Sequence, residues 1–575
     1  MRTNRLVSFL LICCLILSVF PQLAVSAAEE STAQMEYEFL KKLEVISGQF
    51  SLESEVDRDE FAGLIAKMLY PGLDLSLAGD INAPQPFGDV EPSNRSYHAI
   101  RLLKELGVLS GDTGSEFRPD EKITYNEAAA MLIKALGYAV YAEEKGGYPS
   151  GYLMIANDAG ITKGVSYSVG GITGNTAVKL LYNALFADMV SVVSYENGKP
   201  TSQIIRDKNL LSERLNIFEY DAVVVDDGFS TLDGSVSVGE EKAVVREVKT
   251  DAKLLVEDPE YLLSDFLGCH IKLFLQRDQQ TDQMRIVYCA PHRKGEITRI
   301  PADQIISVSD EVVEYETEKD AEHYRKIRLT SGRPYALFNG VKKASYDAGE
   351  LKPENGFLTL IDNDGDGNAD VVRVTSFSYH IIVDKIDMAR QILFCKQNPR
   401  NNFDFSDDSQ LHYRAWKENK PISLDTIQES DVISVAKSEK NAEGKTLYTL
   451  MVSSQSVTDS VASIQQSENA VELKESGICE ISPFYLSVRP KLLEQIGFDG
   501  DMTFRLDCLG KIAHIDKLSV QNKNFVYLID MKQETGLESG IILKFYDSAE
   551  GMVRTLPISS KVKIDGKKQI GRAHV

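Results

Sequence analysis

Cysteine is the first thing this sequence is short of. There are 7 in 575 residues, and Cys13 and Cys14 fall inside an apolar N-terminal run. The remaining Cys269, Cys289, Cys395, Cys479 and Cys508 are odd in number and widely spaced. That excludes a disulfide framework, and no Cys-x-x-Cys pair offers a zinc or redox site. Cys269 and Cys289 flank an expected hairpin, Ile271–Leu275 with Arg285–Tyr288. A bridge there and two small buried apolar side chains both fit the spacing. Histidine is scarce too: His270, His292, His323, His380, His412 and His514 are scattered, with no His-x-x-x-His spacing. Neither a Gly-x-Ser-x-Gly nor a Walker loop occurs, so no catalytic constellation is legible and the chain reads as a non-enzyme. Acidic pairs such as Asp407-Asp408 carry no weight among so many carboxylates. The single tryptophan, Trp416, is too little for a stacked sugar-binding platform and reads as a core or strand-end residue. Positive charge is also in deficit, with 63 Lys and Arg against 85 Asp and Glu and a net charge of -22. A nucleic-acid partner, which needs clustered cations, is excluded on that ground.

The N-terminus carries the pattern of a secretory signal: Arg2 and Arg5, an apolar core from Leu6 to Phe20, and small residues at Val25-Ser26-Ala27. Residues 1–27 are assigned to it. Ile12 stands before Cys13 where a lipidation site needs a small residue. After the signal, no run is long and apolar enough to span a bilayer. An exported chain of this kind needs another hold on the cell. Its length calls for several domains.

The stretch Phe87 to Leu136 organises the first third. Phe87-Gly88-Asp89-Val90 precedes Ala99, Ile100, Leu103 and Leu106, whose three- and four-residue spacing predicts a helix. Gly107 stops it, as a residue that accepts positive φ without steric cost. Phe117-Arg118-Pro119-Asp120 follows. Thr124 and Glu127 then form a capping box ahead of Ala128, Leu132, Ile133 and Leu136. The plan recurs upstream, where Phe39, Leu40 and Leu43 lead to Val45-Ile46-Ser47-Gly48. There Asp57, as cap, and Glu60, as its partner, open a helix with Leu64, Ile65 and Met68. It recurs downstream, where Gly160-Ile161-Thr162-Lys163-Gly164 precedes Thr173 and a helix with Ala177, Leu180, Leu181 and Leu185.

These ordered motifs resemble the S-layer homology (SLH) repeat of exported proteins from Gram-positive-type bacteria, clostridial or Paenibacillus-like. The resemblance implies three repeats, at 36–84, 85–141 and 146–190, packed as one helical body. It also implies grooves that bind secondary cell wall polysaccharide, often bearing pyruvate ketals. A helix N-terminus with free N–H groups suits such a carboxylate. The family motif at that helix start is Thr-Arg-Ala-Glu. Here only the first unit keeps the arginine, as Arg58; Tyr125 and Gly174 stand at the matching places, and Thr176 replaces the third glutamate. The candidate polymer-binding residues are therefore Asp57, Arg58, Glu60, Tyr97, Gly111, Thr124, Glu127, Gly164 and Thr173.

Residues 191–216 read as a linker around Asn197-Gly198-Lys199-Pro200. From there short β-branched and aromatic runs alternate with turn signals such as Asn339-Gly340. Three β-rich regions are expected, at 217–376, 377–455 and 456–569. The fold class is thus multidomain: an all-α N-terminal body of three repeats, then all-β, sandwich- or barrel-like domains. Asp362, Asp364, Asp366, Asn368 and Asp370, with Gly367 at position six, follow calcium-loop spacing. Arg373 takes the place of the twelfth-position glutamate, so a calcium site and a metal-free acidic turn both fit. No other cofactor is expected. Ile570–Val575 resembles adapter read-through, which predicts a natural protein that continues further. The reading that results is noncovalent attachment to wall polysaccharide with β-domains displayed outward. Its rivals are an anchored polysaccharide hydrolase whose catalytic domain follows residue 575, and a structural S-layer or adhesive protein that assembles with its neighbours.

Overall fold

The computed structural model describes residues 33–77, 84–110, 116–196, 199–317, 324–330, 334–498, 500–516, 526–534, 540–547, 552–557, 562–564 and 567–569. The signal segment, Gly111, the turns at Asn197-Gly198 and Asp565-Gly566 and the tail 570–575 lie outside the described residues.

Helices come first: Gln34–Lys42, Arg58–Leu69, Tyr97–Glu105, Tyr125–Ala135, Ala139–Glu144, Ser150–Asp158 and Gly174–Leu185. Each long helix turns an apolar stripe inward, and Phe39, Phe61, Ile100, Leu132 and Leu180 are all 0% exposed in one shared core. Gly107, at φ 72°, closes its helix as expected: its N–H donates to the Lys104 carbonyl and Val108 N–H to Leu103. Just ahead of three helices the chain is extended, and these segments meet in a ring. Val56 N–H donates to the Ile172 carbonyl (3.0 Å), Ile172 N–H to Ile123 (2.9 Å) and Ile123 N–H to Val56 (3.0 Å). Their side chains are fully buried at the centre.

The expectation of an all-α body followed by separate all-β domains is overturned. The described chain is mostly strand, with helices the minority. Its first third is held by β-bridges as well as helix packing, and its core continues into the strands beyond. Phe39 packs on Phe274 at a ring separation of 4.2 Å and on Tyr288 at 5.8 Å. Arg293 reaches back to Glu36 at 2.9 Å. The expected linker holds the hairpin β1 (Met189–Glu196) and β2 (Lys199–Ile205), then a π-helical turn at Leu211–Leu215. Val190, Val192, Val193, Ile204 and Ile205 explain the hairpin, since β-branched residues favour the pleated backbone.

Next, β3 (Ile217–Asp226), β4 (Lys242–Glu247), β5 (Lys253–Glu257), β6 (His270–Arg277) and β7 (Met284–Pro291) close a barrel in the order β3-β4-β5-β7-β6. Ala222, Val224, Val245, Ile271 and Leu273 fill it, all 0% exposed. Phe274, on the outer face of β6, is equally buried because the helices cover it. Beyond the barrel lies a large mixed sheet. One 17-residue strand, Val371–Asp387, runs straight through the boundary expected at 376–377, so the first two β-rich regions share this sheet. Val371–Thr375 and Ile381–Val383, which the β-branched pattern predicts as separate short strands, are halves of that one, interrupted in pattern only by the exposed Ser378. Asn339-Gly340 forms its expected two-residue turn, with both φ angles positive.

Candidate functional site

The three helix starts are built alike and finished differently. At Arg58–Leu69 the N-cap residue is Asp57, but its side chain makes no capping hydrogen bond. Carbonyls of another segment close this tip instead: Arg58 N–H donates to Glu121 and Asp59 N–H to Pro119. The Asp57 carboxylate, released from capping, accepts from Lys122 (2.7 Å) and Arg95 (3.3 Å). Glu60, expected as the cap's partner, instead lies 3.8 Å from Arg95. At Gly174–Leu185 the same closure occurs, with Gly174 N–H donating to Ser54 and Asn175 N–H to Leu52. Thr173 is its N-cap, again without a side-chain bond. Gly174 is required there: a Cβ would sit 2.1 Å from the Ser51 carbonyl. Gly174→Ala should cost about 1–3 kcal/mol, the usual penalty of overpacking, read as a lower midpoint in urea unfolding.

The third start, Tyr125–Ala135, keeps its capping box. Glu127 N–H donates to Thr124 Oγ1 (3.4 Å) and Thr124 N–H to Glu127 Oε2 (2.9 Å). The Thr124–Gly171 bridge turns Tyr125 N–H toward the Gly170 carbonyl, but the backbone N–H of Asn126 has no hydrogen-bond partner among the described residues. Two buried polar atoms near this tip are also unpartnered: Asn126 Oδ1 and Ser168 Oγ. The flanking strand Thr124 is bridged to Gly171, and the Tyr167 ring stands edge-on to Tyr125 at 5.2 Å. Tyr167 and Val169 are exposed beside it, Val169 at 93%. Among the described residues, this is a helix tip with one unpartnered backbone donor and an aromatic wall.

Arg58 is turned away from solvent. Only 6% exposed, it donates from Nε to the Phe117 carbonyl (2.9 Å) and from Nη1 to Glu127 Oε1 (2.5 Å), lying over the Phe117 ring. Burial works to raise the Glu127 carboxyl, but the Thr124 hydrogen bonds and the Arg58 and Arg118 charges outweigh it and hold it below the usual range. Asp89 of the Phe-Gly-Asp-Val motif anchors the same region: its carboxylate accepts from the N–H groups of Phe117 (2.8 Å) and Arg118 (2.6 Å). Burial opposes these bonds, yet Asp89 too is held below its ordinary value.

Asp57, Arg58, Glu60, Thr124 and Glu127 are thus brought together along one seam. Tyr97 sits at the start of its own helix, edge-on to His98, and Gly164 in a turn with open space around it. Sequence reasoning passed over Arg95, Lys122, Asn126 and Ser168. Arg95 and Lys122 are set by contacts between segments, and none of the four residue types carries a periodic signal. In the acidic loop, ligand oxygens of Asp362, Asp364 and Asp370 lie within 4.8 Å of one another; Asp366 and Asn368 are not part of that cluster. Asp362 accepts from the N–H groups of Asp364, Gly365 and Gly367, and Arg373 is turned to the Asp265 carbonyl. Cys269, Cys289, Cys395, Cys479 and Cys508 are free thiols. No helix among the described residues is long and apolar enough to cross a membrane.

The S-layer homology domain family model matches residues 86–129. The chain is 24% identical over 227 residues to the middle cell wall protein of Brevibacillus brevis, covering 37% of this chain and 21% of that protein. It is 26% identical over 206 residues to a surface layer protein of Brevibacillus choshinensis, covering 33% and 18%. A third relative is an endoglucanase of a Bacillus species, 31% identical over 155 residues, covering 24% and 16%. The chain therefore spans about a fifth of the length of the first two relatives. The matched stretch runs from Phe87 and Asp89 through Phe117 to the Tyr125–Asn126 tip: over these residues the chain carries an S-layer homology domain, and its relatives include proteins named for the bacterial cell wall and surface layer.

Proposed function

We propose that the helical end holds the chain noncovalently on secondary cell wall polysaccharide, and that an acidic substituent of the polymer docks on the Tyr125–Asn126 tip. One observation carries this reading: two of the three helix starts have both first N–H groups closed by backbone carbonyls, while at this one the Asn126 N–H has no partner among the described residues. Free N–H groups at the positive end of a helix favour a carboxylate or ketal. Arg95 and Lys122 form a second, cationic edge nearby, but both are engaged by Asp57 and Asp59. Relatives named for the cell wall and one named an endoglucanase share short stretches with this chain, which suits a common means of attachment better than a common reaction. The test is sedimentation of the full chain with purified wall sacculi, before and after mild acid removes the acidic substituents. Retention that survives the acid treatment would reject the docking mode.

We further propose that Asp362, Asp364 and Asp370 take calcium weakly. The ion must share Asp362 with the three backbone N–H groups it already serves. At ten times the dissociation constant the gain would be about 1.4 kcal/mol. The expected result is a melting temperature higher in calcium than in chelator, a difference lost in Asp364→Asn. Equal melting temperatures would leave the metal-free turn as the answer.

A further inference from the structure

The barrel carries a cluster that neither the wall-binding reading nor the family comparison uses. Asp221 lies on β3, His270 opens β6, and His292 follows β7. In the β3–β6 register Asp221 faces Lys272 and Val223 faces His270, which puts Asp221 and His270 on a diagonal of one face. His292 N–H donates to the His270 carbonyl at 2.9 Å, extending the β6–β7 ladder by one pair. Because Ala222 and Ile271 point into the barrel, Asp221, His270 and His292 share its outer side. The two imidazoles are nearly parallel, with centroids 4.2 Å apart and an interplanar angle of 7°. One ligand atom from each of the three residues lies within 4.8 Å of the others.

Two features set this cluster apart from a chance surface grouping. His270 Nε2 is buried without a hydrogen-bond partner, a state that ordinarily costs about 1–3 kcal/mol. Both histidines are also fixed by the acidic loop. Asn363 Oδ1 accepts from His270 N–H (2.7 Å), and its Nδ2 donates to the Gly268 carbonyl (2.9 Å). The turn after His292 packs so closely on that loop that a Cβ on Gly365 would meet the Lys294 carbonyl at 2.7 Å. Lys272, paired with Asp221 on the same face, is drawn off to Glu219 at 2.6 Å.

We propose that Asp221, His270 and His292 form a binding site for a divalent transition ion, zinc in the first instance. Two imidazoles and one carboxylate match the ligand chemistry of zinc, and three protein ligands leave a fourth position for water or an outside group. Such an ion would satisfy the orphaned nitrogen and tie β3, β6 and β7 together. The sequence conceals this set, since the residues are far apart along the chain and only strand register assembles them.

The test uses the full chain and zinc sulfate in titration calorimetry, with cobalt as a spectroscopic stand-in. One zinc should bind at micromolar affinity or tighter. His270→Ala and His292→Ala should each weaken it by at least about tenfold, or 1.4 kcal/mol, while Asp364→Asn in the acidic loop leaves it unchanged. Diethyl pyrocarbonate mapping of the unmutated chain removes any dependence on variant folding: zinc should protect His270 and His292 but not His412. Equal modification with and without zinc overturns the proposal. So does a thiolate charge-transfer band in the cobalt form, which would put the metal on cysteine.

Discussion

Arg58→Ala is expected to destabilise the helical end by about 3–5 kcal/mol, the cost of leaving one half of a buried ion pair behind. The arginine holds Glu127 at 2.5 Å and the Phe117 carbonyl at 2.9 Å, with its guanidinium across the Phe117 ring. Its removal leaves the carboxylate that completes the Thr124 capping box with Arg118, at 3.9 Å, as its remaining cation. Chemical denaturation should therefore show a large fall in midpoint, and loss of wall binding in this variant would follow from unfolding. Arg58→Lys should recover part of the stability, since lysine keeps the charge but not the forked geometry. The pair also sets a pH dependence. Glu127 lies below its ordinary pKa in the folded chain, so its contribution is complete above the unfolded-state value and is lost as pH falls through the folded one. Arg58→Ala should flatten that acid limb. An unchanged midpoint in Arg58→Ala would show the pair to be ornamental.

Asn126→Asp should separate binding from stability, moving them in opposite directions. A carboxylate in the first turn of Tyr125–Ala135 favours the helix by about 0.3–1 kcal/mol, so melting should hold or rise slightly. The same charge would sit beside the unpartnered Asn126 N–H and repel an incoming acidic sugar. Retention on sacculi should drop by about tenfold or more, equivalent to 1.4 kcal/mol. Arg95→Ala, which loosens the Asp57, Asp59 and Glu60 carboxylates but does not reach the Asn126 tip, should change retention far less. If Asn126→Asp binds walls as well as the unaltered chain, the tip is not the docking point.

What could be read from the sequence was what is local. Helical stripes such as Ala99, Ile100 and Leu103, the Thr124–Glu127 box and the Asn339-Gly340 turn depend on neighbours a few residues away. What was hidden depends on other segments. Asp57 and Glu60 have the right spacing for a cap, yet the carbonyls of Pro119 and Glu121 reached that tip first. Arg58 looks like a surface cation until Glu127 is placed beside it. The expected linker became a hairpin once Val190 to Ser194, with a bulge at Val193, found Thr201 to Ile204 as a partner. The all-α expectation failed because Phe274 of a strand completes the helices' core, a contact no periodicity announces.

The circle of Val56, Ile123 and Ile172 has a bearing on how the chain matures. Each link in it needs the next, so any two of these segments leave a donor and an acceptor open. Synthesis runs from the N-terminus, and the circle cannot close until Ile172 has emerged. The first helices must wait, loosely collapsed, while more than a hundred residues arrive, and a chain in that state suits threading through a translocation pore.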